Sequence, residues 1–264
     1  MIKKYMVKLE YIENQRELPW VLFIHGFGGT PNMWNKQVSA FKDKVNICLA
    51  TLPGHFEGEK LTQKDFKSSN IFLDLARNII KQLKEKGIKK ITTVSVSLGT
   101  MVNYQIVKEE PDFVENAILT GSICGTSPFW QSVMNFLNVI SRFCPYKILM
   151  RFCAYTLLPK KTHKKARKFL LKESLKMNRK AFVFWYKNLT KSHNAICNEN
   201  LNYKTLAKLK IVMGDEDHVF LNKAKEFANK MGVQIKIIEN CGHVCSLHKW
   251  REFNEYLGNL LPVV

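Results

Sequence analysis

Acidic residues are scarce in this chain, and their scarcity is local. The 264 residues carry 41 Lys and Arg against 22 Asp and Glu, a net charge of +19. From Gly121 to Cys197 there are fifteen Lys or Arg and one acid, Glu173, so +14 of that charge lies in under a third of the chain. Such an excess attracts an anionic small molecule, a membrane surface or a nucleic acid. No helix-turn-helix, zinc-finger or RNA-binding-sheet motif accompanies it, which argues against nucleic acid. Also lacking is any uninterrupted apolar run of the ~18 residues a membrane span needs. The most apolar long stretch, Phe129 to Pro159, is broken by Arg142, Pro145, Lys147 and Arg151. The basic start, Met1-Ile2-Lys3-Lys4-Tyr5, has no apolar segment or small-residue cleavage site after it, so it does not read as a secretory signal. Seven cysteines, an odd number with irregular spacing, fit no disulfide framework. They read as reduced thiols of a cytoplasmic protein. Cys241 and Cys245 flank His243, but no second ligand pair has zinc-like spacing. No metal and no cofactor is expected.

An apolar content of 46% is ordinary for a globular protein, and there is no internal repeat or low-complexity linker. Strand and helix patterns alternate. Val21 to Ile24 is a continuous apolar run ending in His25-Gly26-Phe27-Gly28-Gly29, and Asn32 to Phe41 reads as a short helix. Val45 to Ala50 is a second strand, closing at Leu52-Pro53-Gly54-His55. Over Asn70 to Lys86, Ile71, Leu75, Ile79 and Leu83 recur every four residues, which predicts an amphipathic helix stopped by Gly87. Strands follow at Lys90 to Val94 and Val114 to Thr120. The alternation then stops: residues 125–200 are helical in character, and it resumes with a strand at Leu209 to Gly214, a helix at Asn222 to Lys230, a strand at Val233 to Ile238 and a terminal helix. Apolar strands separated by helices predict a doubly wound, mostly parallel α/β sheet covered on both faces. The expected organisation is a core of residues 1–124 and 201–264 with a helical cap, 125–200, inserted between them.

The chemistry concentrates at strand ends. Ser95-Val96-Ser97-Leu98-Gly99 sits where a β-branched run meets a helical run. A serine on so sharp a strand-to-helix turn is held with its hydroxyl pushed out of the sheet, and small residues at 95 and 99 let the turn close. The first position is Ser rather than Gly. In doubly wound sheets ligands bind beyond the carboxyl ends of the strands. There this chain places His25-Gly26-Phe27-Gly28-Gly29, then Ser97, then Gly214-Asp215-Glu216-Asp217-His218, then Asn240-Cys241-Gly242-His243. A glycine loop, a hydroxyl, a carboxylate and an imidazole are the parts of nucleophilic acyl chemistry, because a serine hydroxyl needs a base and the base needs a carboxylate.

The order Ser, Asp, His at successive strand ends resembles the α/β-hydrolase family over nearly the whole chain outside the helical block. The resemblance implies that fold, with Ser97 as nucleophile and His243 as base. Its Gly-x-x-Asp spacing maps onto Gly214 and Asp217, with Asp215 and Glu216 competing in the same turn. The alternative acid position after the preceding strand is empty, since Thr120 to Ser127 holds no carboxylate. It also implies an oxyanion hole made by the amides of Phe27 and Leu98, and loop-shaping roles for His25 and His55. The roles of His218 and His248 stay open.

Serine at 97 excludes the epoxide and haloalkane hydrolases of this fold, which need a carboxylate there. Acyl chemistry remains. The aromatic and Met-bearing helical block (Phe129, Trp130, Met134, Phe136, Phe143, Met150, Phe152) suits an apolar acyl chain. The expectation is a serine hydrolase of short to medium carboxylic esters, anionic or lipid-like, working through an acyl-enzyme, with peripheral contact to an anionic membrane through the basic cap. A carbon–carbon hydrolase or retro-addition enzyme gripping a substrate carboxylate with Arg142, Arg151, Arg167 and Arg179 is the alternative within the fold. A ligand-binding protein on the same scaffold is the alternative outside catalysis.

Overall fold

The uninterrupted apolar runs become the central strands of one sheet. A computed structural model describes residues 7–14, 17–56, 70–193 and 201–261. The segment Met1 to Tyr5 and the end of the helical block, 194–200 with Cys197, lie outside the described residues. The elements run β1 (Lys8–Ile12), β2 (Trp20–Ile24), a 3-10 turn (Pro31–Trp34), α1 (Asn35–Phe41), β3 (Asn46–Thr51), α2 (Ile71–Glu85), β4 (Ile91–Val96), α3 (Leu98–Glu109) and β5 (Val114–Thr120). Four helices follow: α4 (Pro128–Ile140), α5 (Tyr146–Leu157), α6 (Lys164–Ser174) and α7 (Arg179–Ser192). The chain then returns through α8 (Tyr203–Lys208), β6 (Leu209–Gly214), α9 (Leu221–Met231), β7 (Gln234–Ile238), α10 (Cys245–His248) and α11 (Trp250–Gly258).

The sheet order is β1-β3-β2-β4-β5-β6-β7, and every neighbouring pair is parallel except β1 with β3. Pleating sends Leu22 and Ile24 into a core with α2 and α3, and Val21 and Phe23 into a second core with Phe41, Phe253 and Leu257. The sheet is therefore covered on both faces, as β3 and β4, buried along their whole lengths, require. α2 starts where the Asn70 side chain accepts from the amides of Phe72 and Leu73, and it buries Ile71, Leu75, Ile79 and Leu83. After β3 the chain crosses β2 to place β4 on its other side. This crossing is the switch point of the sheet, and it brings the ends of β2 and β4 side by side. No helix among the described residues is long and apolar enough to cross a membrane.

Candidate active site

Ser97 occupies the single residue between β4 and α3, with φ 53° and ψ −123°. A side chain at such angles is strained, and it persists only where its surroundings fix it. Here the Ser97 amide donates to the Thr120 carbonyl (3.0 Å), and its own carbonyl accepts from the amide and the hydroxyl of Thr100 (2.8 and 2.6 Å). Gly99 permits the turn: a Cβ there would stand 2.6 Å from the carbonyl oxygen of His25 and 2.7 Å from that of Ile24. Ser95 tolerates its hydroxyl because that group is satisfied. It donates to the Ile118 carbonyl (3.3 Å) and accepts from Asn103 Nδ2 (2.8 Å), while Asn103 Oδ1 accepts from Thr93 (2.6 Å).

The three acids after β6 take three different partners. Asp215 Oδ1 accepts from the Cys241 amide (3.0 Å). Glu216 accepts from Lys160 (2.5 Å) and His163 (2.6 Å), both from the stretch between α5 and α6. Burial pushes Glu216 up, but Lys160 and His163 outweigh it and hold its carboxyl below the ordinary carboxylate value. Asp217 alone faces the imidazole, with Oδ2 2.6 Å from His243 Nδ1. Its other oxygen accepts from the amides of Val219 (3.3 Å) and Phe220 (3.1 Å), which pins the carboxylate. Of the three, Asp217 is the one whose carboxylate reaches the imidazole.

His243 is buried. With Asp217 accepting from Nδ1–H, the lone pair sits on Nε2, and this buried atom has no hydrogen-bond partner among the described residues. The Phe220 ring lies 5.2 Å from the imidazole. Gly121 backs it: a Cβ there would lie 3.0 Å from His243 Cε1 and 2.5 Å from its carbonyl oxygen. Ser97 and His243 line one cavity of about 90 Å³, and the rest of its wall is mostly apolar. Trp130, Val133, Met134 and Leu137 of α4 contribute to it, as do Met150 and Phe152 of α5 and Leu189 of α7. None of Arg142, Arg151, Arg167 and Arg179 lines it. Arg167 instead binds the Leu158 and Lys160 carbonyls, and Arg179 the Arg142 carbonyl.

Phe27 also lines the cavity, in the loop after β2. That loop is built on two buried neutral histidines whose rings are 4.8 Å apart. His25 Nε2 accepts from the Leu52 amide (3.0 Å), leaving Nδ1–H to donate to the Gly26 carbonyl (2.8 Å). His55 Nε2 accepts from the Gly28 amide (3.2 Å). Burial pushes the His25 imidazole down to about 4, and burial together with His25 pushes His55 down as well. The Phe27 ring packs on Phe182 of α7 (5.2 Å). Leu98, as the first residue of α3, has an amide with no partner inside its own helix. The residues left open fall apart from the cavity wall: the His218 ring lies tilted against Trp130 (5.4 Å between centroids), and His248 Nδ1 accepts from the Gly242 amide (3.2 Å).

Sequence reasoning missed Gly121, Thr100, and the Glu216–His163 pair that joins the helical block to the acid turn. Thr100 and Gly121 carry no motif. The one signal for Glu216 was its place beside Asp215 and Asp217.

The sheet order, with helices covering both faces, is that of the α/β-hydrolase fold. A family model for the alpha/beta hydrolase fold matches residues 19–140. It is similar to a monoacylglycerol lipase abhd6-B of Xenopus laevis, 23% identical over 92% of this chain and 75% of that protein. A shorter stretch resembles the 2-succinyl-6-hydroxy-2,4-cyclohexadiene-1-carboxylate synthase of Klebsiella pneumoniae, 29% identical over 39% of this chain and 38% of that enzyme. A carboxylesterase structure from the thaumarchaeon Nitrososphaera gargenis superposes with a TM-score of 0.76 at 16% identity, covering 96% of this chain and 93% of that one.

Proposed function

We propose that this chain is a serine hydrolase of short to medium carboxylic esters. In this reading, residues 1–124 and 201–264 are the catalytic core, and 125–200 is a cap over the substrate. Ser97 Oγ attacks the ester carbonyl while His243 Nε2 takes its proton, and Asp217 stabilises the resulting imidazolium. The carbonyl oxygen, now negative, accepts hydrogen bonds from the amides of Phe27 and Leu98. Collapse breaks the acyl–oxygen bond, and His243 returns its proton to the departing alcohol. Water then attacks the acyl-enzyme by the same route, releasing the acid and restoring Ser97.

The observation that carries this reading is His243 itself. Its Nδ1 is held by Asp217, its buried Nε2 has no hydrogen-bond partner among the described residues, and His243 lines the same cavity as Ser97. The lipase and carboxylesterase likenesses support ester chemistry, and the mostly apolar wall supports an acyl chain as cargo. The likeness to the synthase favours a carbon–carbon reading, but among the described residues no arginine or lysine lines the cavity to hold the carboxylate it would need.

The test is intact-mass analysis after fluorophosphonate treatment of wild type and Ser97→Ala. One adduct on the wild type, none on Ser97→Ala, and turnover of graded acyl esters is the expected result. Well-folded wild type with no adduct would overturn the reading in favour of a binding protein on this scaffold.

A further inference from the structure

Large apolar side chains are not scattered over this surface. Seven of the eleven that are exposed among the described residues fall between positions 129 and 155. Phe129 and Phe136 of α4 are 66% and 64% exposed, and Phe143, just past its end, is 83% exposed. Their seven-residue spacing keeps them on one side. On α5, Ile148, Phe152 and Tyr155 recur at helical spacing and are exposed as well. A short connection, 141–145, joins the two helices, and both wall the cavity that holds Ser97. Phe152 belongs to that wall and is itself 46% exposed, so the wall reaches the surface on this face.

The charge beside these stripes has one sign. No acid occurs from residue 116 to residue 172. Arg142, Lys147 and Arg151 are exposed and form no ion pair with a described residue, and Lys164, Lys165 and Lys168 of α6 extend the basic surface. Exposed aromatics bordered by unpaired cations match an interfacial lipid site, where rings enter the acyl boundary and cations meet anionic headgroups.

We propose that the α4–α5 face docks on an anionic lipid surface. A second copy of this chain is a poor occupant, because two strongly basic faces repel one another. A nucleic acid would use the cations and leave the phenylalanines in water. Docked in this way, the cavity would open toward the bilayer. That last consequence alone rests on the hydrolase reading.

The experiment is co-sedimentation with vesicles of phosphatidylcholine alone or mixed with phosphatidylserine, run on wild type and on Ser97→Ala. Both should sediment with the mixed vesicles, more than with neutral ones, and should release as salt rises. Neither Phe136 nor Phe143 lines the cavity, contrary to the expectation that they face the acyl chain, so Phe136→Ser with Phe143→Ser should lose binding while still hydrolysing a water-soluble ester at the wild-type rate. Lys147→Glu with Arg151→Glu should lose the preference for phosphatidylserine, by about fivefold or more for each cation removed. Equal sedimentation with both vesicle types, or variants that bind like wild type, would overturn the proposal. So would a wild-type dimer in sedimentation velocity that the phenylalanine variant dissolves. Protein that takes no fluorophosphonate yet sediments with anionic vesicles would overturn the esterase reading and support the docking.

Discussion

Asp217 reaches His243 with one oxygen and two backbone amides with the other, so its two jobs separate by substitution. In Asp217→Asn the side chain would keep an oxygen for the amides of Val219 and Phe220 but present only an N–H to the imidazole. We expect this variant to melt near the wild-type temperature while kcat for an activated ester falls about 10⁴-fold, the loss known when the imidazole is held in the wrong tautomer. Stopped-flow labelling by fluorophosphonate should slow in parallel; equal labelling rates would remove Asp217 from the chemistry. Gly121 bears on the same ring from behind, at φ +52°. Gly121→Ala strains the backbone and drives a methyl toward both the ring and the carbonyl of His243, so kcat and melting temperature should fall together. The cost to stability should be about 1–3 kcal/mol by chemical denaturation.

At the scale of elements, the helical block is tied to the sheet by few polar links. Glu173, the one acid between residues 116 and 198, is buried at the end of α6, where it accepts from Thr30, Asn32 and Lys176. Burial pushes its carboxyl up, but these donors outweigh burial and hold it below the ordinary value. Glu173→Ala strands the Thr30 hydroxyl and Lys176, and should cost about 2–3 kcal/mol in a denaturant titration. A second link is Trp185 Nε1 donating to the Pro53 carbonyl (2.8 Å). What the sequence made legible follows the same division. The central strands were readable because burial on both faces leaves uninterrupted apolar runs, and the Ser, Asp, His order was readable because each lies at such a strand's end. β1 was not. Its Lys-Leu-Glu-Tyr-Ile run is half exposed, and it takes its register from Ile47 to Thr51, far downstream. The buried Ser95–Asn103–Thr93 network and the Glu173 link were equally hidden, since single polar residues announce no partner until the fold supplies one.

For the whole molecule, buried histidines set the response to acid. His25 is held near 4 in the native state, against 6.5 for an unhindered imidazole. Above pH 6.5 neither the native nor the unfolded chain binds that proton, and stability is level. As pH falls from 6.5 toward 4, the unfolded chain protonates and the native one does not, so stability drops, by about 3 kcal/mol for His25 alone. Below about 4 that loss levels off. His55, lowered in the same sense, adds to it. The lowered carboxyls of Glu173 and Glu216 release their stabilisation only at lower pH, through the carboxylate range. Urea midpoints should therefore decline already between pH 6.5 and 5, and His25→Gln should flatten that decline; a midpoint constant across this window would contradict it. Ser97 bears on the whole molecule too, through its φ of 53°. A residue with a side chain pays roughly 1–3 kcal/mol to sit there, whereas glycine gains only about 0.4–1 kcal/mol of freedom in the unfolded chain. Ser97→Gly should then melt above the wild type. Any selection for heat resistance alone, in a flask or in a lineage, would drift toward glycine at 97 and discard the hydroxyl, so a serine found there records that something other than stability has kept it.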